Sequence, residues 1–248
     1  MIDRIAAVSP RRLARITGAF SLLTVLTAIF SQVFVSGTLI VPDNAATTAA
    51  NILSHKSLFE LAFTVYLVEM ASNVVITGLF YELLKPVNRT VSLLAAFLGL
   101  TFCIVKTFSR LFFIAPLFLL RADQYLTVFN RDQLQALALL FLKVNDQGAG
   151  MAMAFFAFYY LLIGYLIFKS TFLPRILGVL TALSGLCWLT YLSPTLGFRL
   201  VLYIGPFVFL VALAMIVWFL VFGVDEQRWK QQAGGVAAAA AASIVPVI

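Results

Sequence analysis

Lys106 and Arg110, in the stretch VKTFSR, place two cations one helical turn apart inside an apolar run flanked by LLAAFL (93–98) and LFFI (111–114). Upstream, Tyr66, Glu69, Asn73 and Thr77 recur at offsets of 3, 4 and 4, which puts them on one face of a helix. A carboxylate facing two cations where charge is otherwise avoided has two uses: an ion pair that locks helices, or the lining of a polar pocket. Two positive charges against one negative leave a surplus of one, which suits an anionic or amphiphilic ligand. Asp146, flanked by Asn145 and Gln147, is a second counter-ion, and His55 and Glu60 stand at the mouth.

The elements that hold these residues are membrane helices. Hydrophobic residues make up 62% of the 248, charged residues 11%, and the mean hydropathy is +1.04. Soluble domains sit near 45–50% apolar and about 25% charged. The apolar residues fall in six blocks, 16–39, 58–84, 91–120, 149–168, 176–192 and 201–222, each long enough to cross roughly 30 Å of hydrocarbon at about 1.5 Å per residue. Long runs without ten-residue alternation give helices, not a membrane barrel. The expected fold is an all-α, polytopic transmembrane bundle of six spans.

Basic residues set the orientation. Arg4, Arg11, Arg12, Arg15, Lys85, Arg89, Lys169, Arg175, Arg228 and Lys230 fall on one side, against Lys56, Arg121, Arg131, Lys143 and Arg199 on the other. The positive-inside rule puts both termini in the cytoplasm. The formal charge of +7 is then a topology signal scattered over short loops, and no nucleic-acid surface is implied. The first apolar run is too long for a signal peptide's core of roughly 7–15 residues, so it is expected to stay as a span. Three regions follow: a basic N-terminus (1–15), the transmembrane domain (16–222) and a cytoplasmic, disordered tail (223–248) that is Ala-rich beyond Gly234.

Depth brings the polar residues together. Glu69 lies about 11 residues, roughly 16 Å, inside the outer end of the second block; Arg110 lies about 10 residues inside that of the third, with Lys106 one turn deeper. The connection at 85–90 is the shortest in the chain, so these two spans pack as antiparallel neighbours. A charge at a span's centre costs about 2.5–3.5 kcal/mol when it faces lipid, so the cluster faces inward. On the first span, Thr17, Ser21, Thr24, Ala28 and Ser31 form a narrow small-residue face expected to pack closely against another helix. On the fourth, Met151, Phe155, Phe156, Tyr159 and Tyr160 read as bulky filler.

The outer connections carry short helices. Asp43 or Asn44 can cap an Ala/Thr-rich turn reaching Leu53, and Asp132 can cap 133–143; these segments are expected at the outer interface or over the bundle's mouth, with 132–147 open between an interfacial helix and an extension of the fourth span. Cys103 and Cys187 fall inside spans, which reads as two free thiols. His55 is the only histidine, and no HExxH, GxSxG or phosphate loop occurs, so neither a metal nor a cofactor is implied. An oxygen-rich external site of His55, Asp43, Glu60 and Asp146 is outweighed by the solvated loop histidine.

The segments LLKPVNR (83–89), DQLQALAL (132–139), GYLI (164–167) and FLPRILGVL (172–180), in that order, resemble the bacterial membrane family described as domain of unknown function 4386. The resemblance covers roughly residues 14–229 and is most specific at LKPVNR and FLPRILGVL. It implies a six- or seven-span bacterial inner-membrane protein with membrane lipids as partners. It brings no catalytic residues and no established activity.

Three functional readings follow. The first is a protein that binds or moves a small anionic or amphiphilic ligand through an outward-facing pocket lined by Tyr66, Glu69, Asn73, Lys106, Arg110 and Asp146. The second is a structural or sensory subunit in which these groups only lock the second and third spans together. The third, an intramembrane enzyme, has least support, because no nucleophile and base stand together. The oligomeric state is left open.

Overall fold

The structure, a computed structural model, describes residues 9–121 and 128–242. Arg4 and the end of the tail (243–248) lie outside the described residues. Eight helices follow in order: α1 (Pro10–Leu39), α2 (Ala45–Ser54), α3 (Lys56–Leu84), α4 (Arg89–Leu120), α5 (Arg131–Lys169), α6 (Arg175–Trp188, continued by a 3₁₀ turn, Leu189–Leu192), α7 (Pro194–Val221) and α8 (Glu226–Ala242). Six of them, all but α2 and α8, are long and apolar enough to cross a membrane. The chain is a multi-pass helical bundle, and among the described residues it contains no strand.

Local chemistry sets the helix starts. Side-chain oxygens of Ser9, Asn44 and Asn88 each accept from the backbone N–H three residues on, satisfying a donor that the first turn leaves free. Asn130 caps α5 in a reciprocal box with Gln133, both bonds 2.9 Å. The cap is Asn130, which corrects the expected Asp132, and of the two placements open for 132–147 the structure has the extension: the segment is the start of a 39-residue α5. The polar run Asn145–Gly148 does not break it, because Asn145 is buried against Arg110 and Gly148 admits α4: a Cβ there would lie 2.8 Å from Ser109 Cβ. At about 58 Å, α5 is nearly twice the hydrocarbon thickness of roughly 30 Å, so its first turns stand clear of the layer.

The expected disordered tail is also corrected, since it is helical from Glu226 to Ala242. Asp225 accepts from Arg228 N–H at its start, and alanine, the strongest helix former, carries its end. Trp229 Nε1 donates to Leu83 O at 2.9 Å and Gln232 accepts from Thr171, which ties α8 across the ends of α3 and α5. Gly223 lies against Arg11, so both ends of the bundle chain meet on one face, the terminal face. The opposite face is the distal one.

α4 packs along both α3 and α5, α5 along α6, and α1 along α3 and α7. Two apolar clusters close the bundle. Leu13, Leu84, Leu166, Leu173 and Phe219 seal the terminal half; Val35, Leu39, Phe59, Phe113 and Leu117 seal the distal half beside α2. Between them lies the space that matters for function.

Candidate functional site

The expected neighbours meet. Lys106 Nζ donates to Glu69 Oε1 at 2.8 Å, with the two residues only 7% and 2% exposed, so α3 and α4 are joined by a dry ion pair. The Lys106 ammonium also stands 5.5 Å above the Phe102 ring. Arg110, one turn on, does not share that carboxylate. Its guanidinium lies 3.7 Å over the Tyr66 ring, and Nη1 donates to Asn145 Oδ1 at 3.0 Å. Asn145 Nδ2 in turn donates to Asp146 Oδ1 at 3.0 Å, so Asn145 stands between Arg110 and the exposed Asp146. Tyr66 OH pairs with Ser36 of α1 at 3.2 Å. The cluster thereby ties α1, α3, α4 and α5. Glu69 Oε2 and Arg110 Nε are buried with no protein partner.

Asn73 and Thr77 share the stripe with Glu69 but face another space. Asn73 Nδ2 donates to Glu69 O and Thr77 Oγ1 to Asn73 O, and both side chains line a cavity of about 460 Å³ to which all six spans contribute. That volume lies within the roughly 300–1,000 Å³ usual for small-molecule sites. The wall is mainly aromatic and aliphatic: Phe80, Phe102, Phe156, Val208, Met215 and Phe219 among others. No Lys, Arg, Asp or Glu lines it, and neither Lys106 nor Arg110 borders it. Ser21, Thr24 and Thr181 do, but each hydroxyl donates to a carbonyl of its own helix, which leaves them as weak acceptors.

Two polar groups of this wall are poorly partnered. Tyr159 OH, beside the Thr77 side chain, and Trp188 Nε1 are buried with no further hydrogen bond, although both residues border the cavity. Their rings flank Phe156, with centroids 6.0 Å and 6.5 Å from it. Buried Tyr hydroxyls and Trp N–H groups normally find a partner, and leaving one unpaired costs about 1–3 kcal/mol. Sequence reasoning treated Tyr159 as filler and passed over Trp188. The signal was present: aromatics with a polar handle inside spans, where no water pairs the handle.

The small-residue face of α1 divides. Thr17 and Ser31 are fully buried in helix contacts, as a packing face requires, whereas Ser21, Thr24 and Ala28 border the cavity. Part of the reason is a close crossing: a Cβ on Gly18 would stand 3.0 Å from Phe219 Cβ and Leu220 Cγ of α7, so the helices touch near the terminal face.

The residues of the distal mouth do not converge. His55 bonds Ser54 and the Asn51 carbonyl of its own turn, Glu60 pairs with Lys56 at 3.8 Å and Arg121 at 3.6 Å, and Asp43 with Lys143 at 2.8 Å. The Lys143 ammonium, bonded to Asp43, holds that carboxyl below the usual carboxylate range. Among the described residues no three His, Cys, Asp or Glu side chains stand together as metal ligands would. Cys103 and Cys187 are both free thiols. A second concavity, about 620 Å³ at the terminal face, is bordered by Arg11 and Arg228 but equally by Asp225 and Glu226, so nothing in it selects a charge.

A family model described as a domain of unknown function (DUF4386) matches residues 16–224. No curated protein and no solved structure matches the chain.

Proposed function

Because the chain belongs to the DUF4386 family, described as a domain of unknown function, its role has to be argued from its own cavity and charges, and we propose that it binds a small, uncharged amphiphile within the bundle. The carrying observation is the cavity's lining, mainly aromatic and aliphatic with a few uncharged polar side chains, Asn73, Thr77 and Gln32 among them, and with Tyr159 and Trp188, whose donors are buried, on its border. A ligand that suits it is lipophilic and carries a single carbonyl, ether or hydroxyl oxygen for those few polar groups. A carboxylate or phosphate does not suit it, since no cation borders the cavity to offset its desolvation. The Glu69–Lys106 pair, with Arg110 on Tyr66 and Asn145, is then the lock that fixes the cavity's walls.

We place both termini in the cytoplasm on the excess of Lys and Arg there, and the protein in the inner membrane of a bacterium. A second reading has one observation in its favour. Arg110 Nε is unpartnered and the cluster carries one surplus positive charge, which would receive an anionic group entering past Asp146.

An alkylbenzophenone is a suitable probe, being apolar, carrying one carbonyl acceptor, and forming a covalent bond to nearby C–H on illumination. In nanodiscs, peptides containing Met215 or Ile163 should be labelled, and the double variant Tyr159→Phe, Trp188→Phe should lose most of that labelling. Labelling of the two proteins to the same extent would remove the basis of this reading. Competition by an alkyl carboxylate, abolished in Arg110→Met, would favour the second.

A further inference from the structure

Apolar side chains fill the bundle on both sides of the cavity. Leu13, Leu84, Leu166 and Phe219 fill the terminal half of the bundle, while Val35, Phe59 and Phe113 fill the distal half of its α1–α3–α4 side. Over the α5–α6–α7 side, Trp188, Tyr191 and Phe198 pack in series, tilted and then edge to face, with centroids 5.8 Å and 5.4 Å apart. The opening lies in the side of the bundle. α1 and α7 touch at Gly18, but along the cavity toward the distal face they face each other across it: Val25, Ala28 and Val33 on one flank, Gly205, Phe209 and Ala212 on the other. A Cβ on Gly205 would meet nothing within 4 Å. Val33 is 68% exposed, and Leu202 and Tyr203 beside Gly205 are 82% and 80% exposed, so neither flank is covered by protein.

Both helices depart from regular α geometry at this level. α1 widens into a π-helical stretch over Ile29–Ser36, and Pro206 in α7 cannot donate to the Leu202 carbonyl. Kinks gather at such places, and they let two helices in contact at one end part at the other.

We infer that the cavity is loaded sideways from the hydrocarbon layer, through the gap between α1 and α7, by a membrane-dissolved amphiphile. This rests on the reading that the cavity binds such a molecule. The chemistry agrees with the route. A molecule apolar enough for this wall is already concentrated in the bilayer, and its single oxygen crosses no polar barrier before meeting Tyr159 and Trp188. The exposed Gln32 on the α1 flank gives that oxygen a polar contact on the way in.

The test uses the full chain in nanodiscs, with the alkylbenzophenone added to the bilayer and loading sampled by flashes at intervals. Gly205→Trp places an indole in the gap and should slow cavity labelling about tenfold, equivalent to raising the barrier by about 1.4 kcal/mol, while leaving its final extent unchanged. Val33→Trp, from the opposite flank, should slow it too and serves if the first variant folds poorly. Gly78→Trp, also in open space but away from the cavity, should load like the parent. Unchanged rates in both gap variants would overturn the route and leave binding standing. A fall in final extent equal to the fall in rate would make position 205 part of the site, which also overturns the route. No cavity labelling in the parent protein would remove the binding reading and the route with it.

Discussion

Replacing one member of the Glu69–Lys106 pair should cost far more than replacing both. Glu69→Leu leaves an ammonium that is 7% exposed with only the Phe102 ring beside it, and Lys106→Met leaves a carboxylate whose Oε2 already has no partner. Breaking a buried pair from one side costs about 3–5 kcal/mol, whereas exchanging the pair for apolar groups of similar volume is close to neutral or better. Each single variant should therefore lose about 3–5 kcal/mol, and Glu69→Leu with Lys106→Met should lie within about 1 kcal/mol of the parent. Reversible unfolding in bicelles by steric trapping measures all four corners of the cycle. If the singles are too unstable to fold, recovery of folded yield in the double variant carries the same information. The parallel cycle of Glu69→Leu with Arg110→Met should couple less, because Arg110 is held by Tyr66 and Asn145 instead. A double variant whose loss equals the sum of the two singles would refute the lock.

Two further perturbations probe the frame around the cavity. A Cβ on Gly178 would stand 2.5 Å from Phe168 N, so Gly178→Val should force α5 and α6 apart and lower thermal stability by at least the about 1–3 kcal/mol of an overpacked core, while Gly78→Val, with nothing within 4 Å, should not; equal melting of the two would deny the close contact. Asp43, held below the ordinary carboxylate value of 3.8 by Lys143, contributes stability that is present above that value and lost as pH falls through the lowered one. The pair is exposed, so the effect is small and local; the hydrogen-exchange protection factor near Thr48, corrected for intrinsic exchange, should fall in acid in the parent and stay constant over that range in Asp43→Asn, and matching acid limbs would show that the contact contributes nothing.

The lock was legible because three independent constraints agreed. Helical spacing put Tyr66 and Glu69 on one face, lipid forbade the charges to face outward, and the short 85–90 connection made α3 and α4 neighbours. The partner of Arg110 was not legible. A surplus cation suggested Asp146, but helical continuity through 145–148 turns Asn145 inward and Asp146 out, and that continuity depends on tertiary contacts at Ser109 and Arg110 that no local pattern encodes. The tail failed for the opposite reason. Alanine repeats read as low complexity, yet alanine is a strong helix former, and bonds from Trp229 and Gln232 anchor the start of the helix that runs into them. The cavity is a void, set by where α7 leaves α1, and a void has no residue of its own to read.

Stripe and cavity are nonetheless connected through α3. Tyr66 and Glu69 fix the distal half of its face to α1 and α4, and one to two turns on, Asn73 and Thr77 border the cavity, Thr77 also packing on Gly99 of α4. A helix pinned by a dry ion pair directly above a void keeps its wall in place when the void fills and empties. A looser apolar contact there would let α3 collapse inward, since nothing but van der Waals packing resists it in lipid. Filling must then be accommodated by the side opposite the pin, where α1 and α7 approach closely at Gly18 near the terminal face and border the cavity from its two flanks farther on. Rigidity at the lock and compliance at the gap are thus the two halves of one arrangement. In the Glu69→Leu, Lys106→Met double variant, which keeps the fold, stability should be preserved while the selectivity of benzophenone labelling within the cavity broadens.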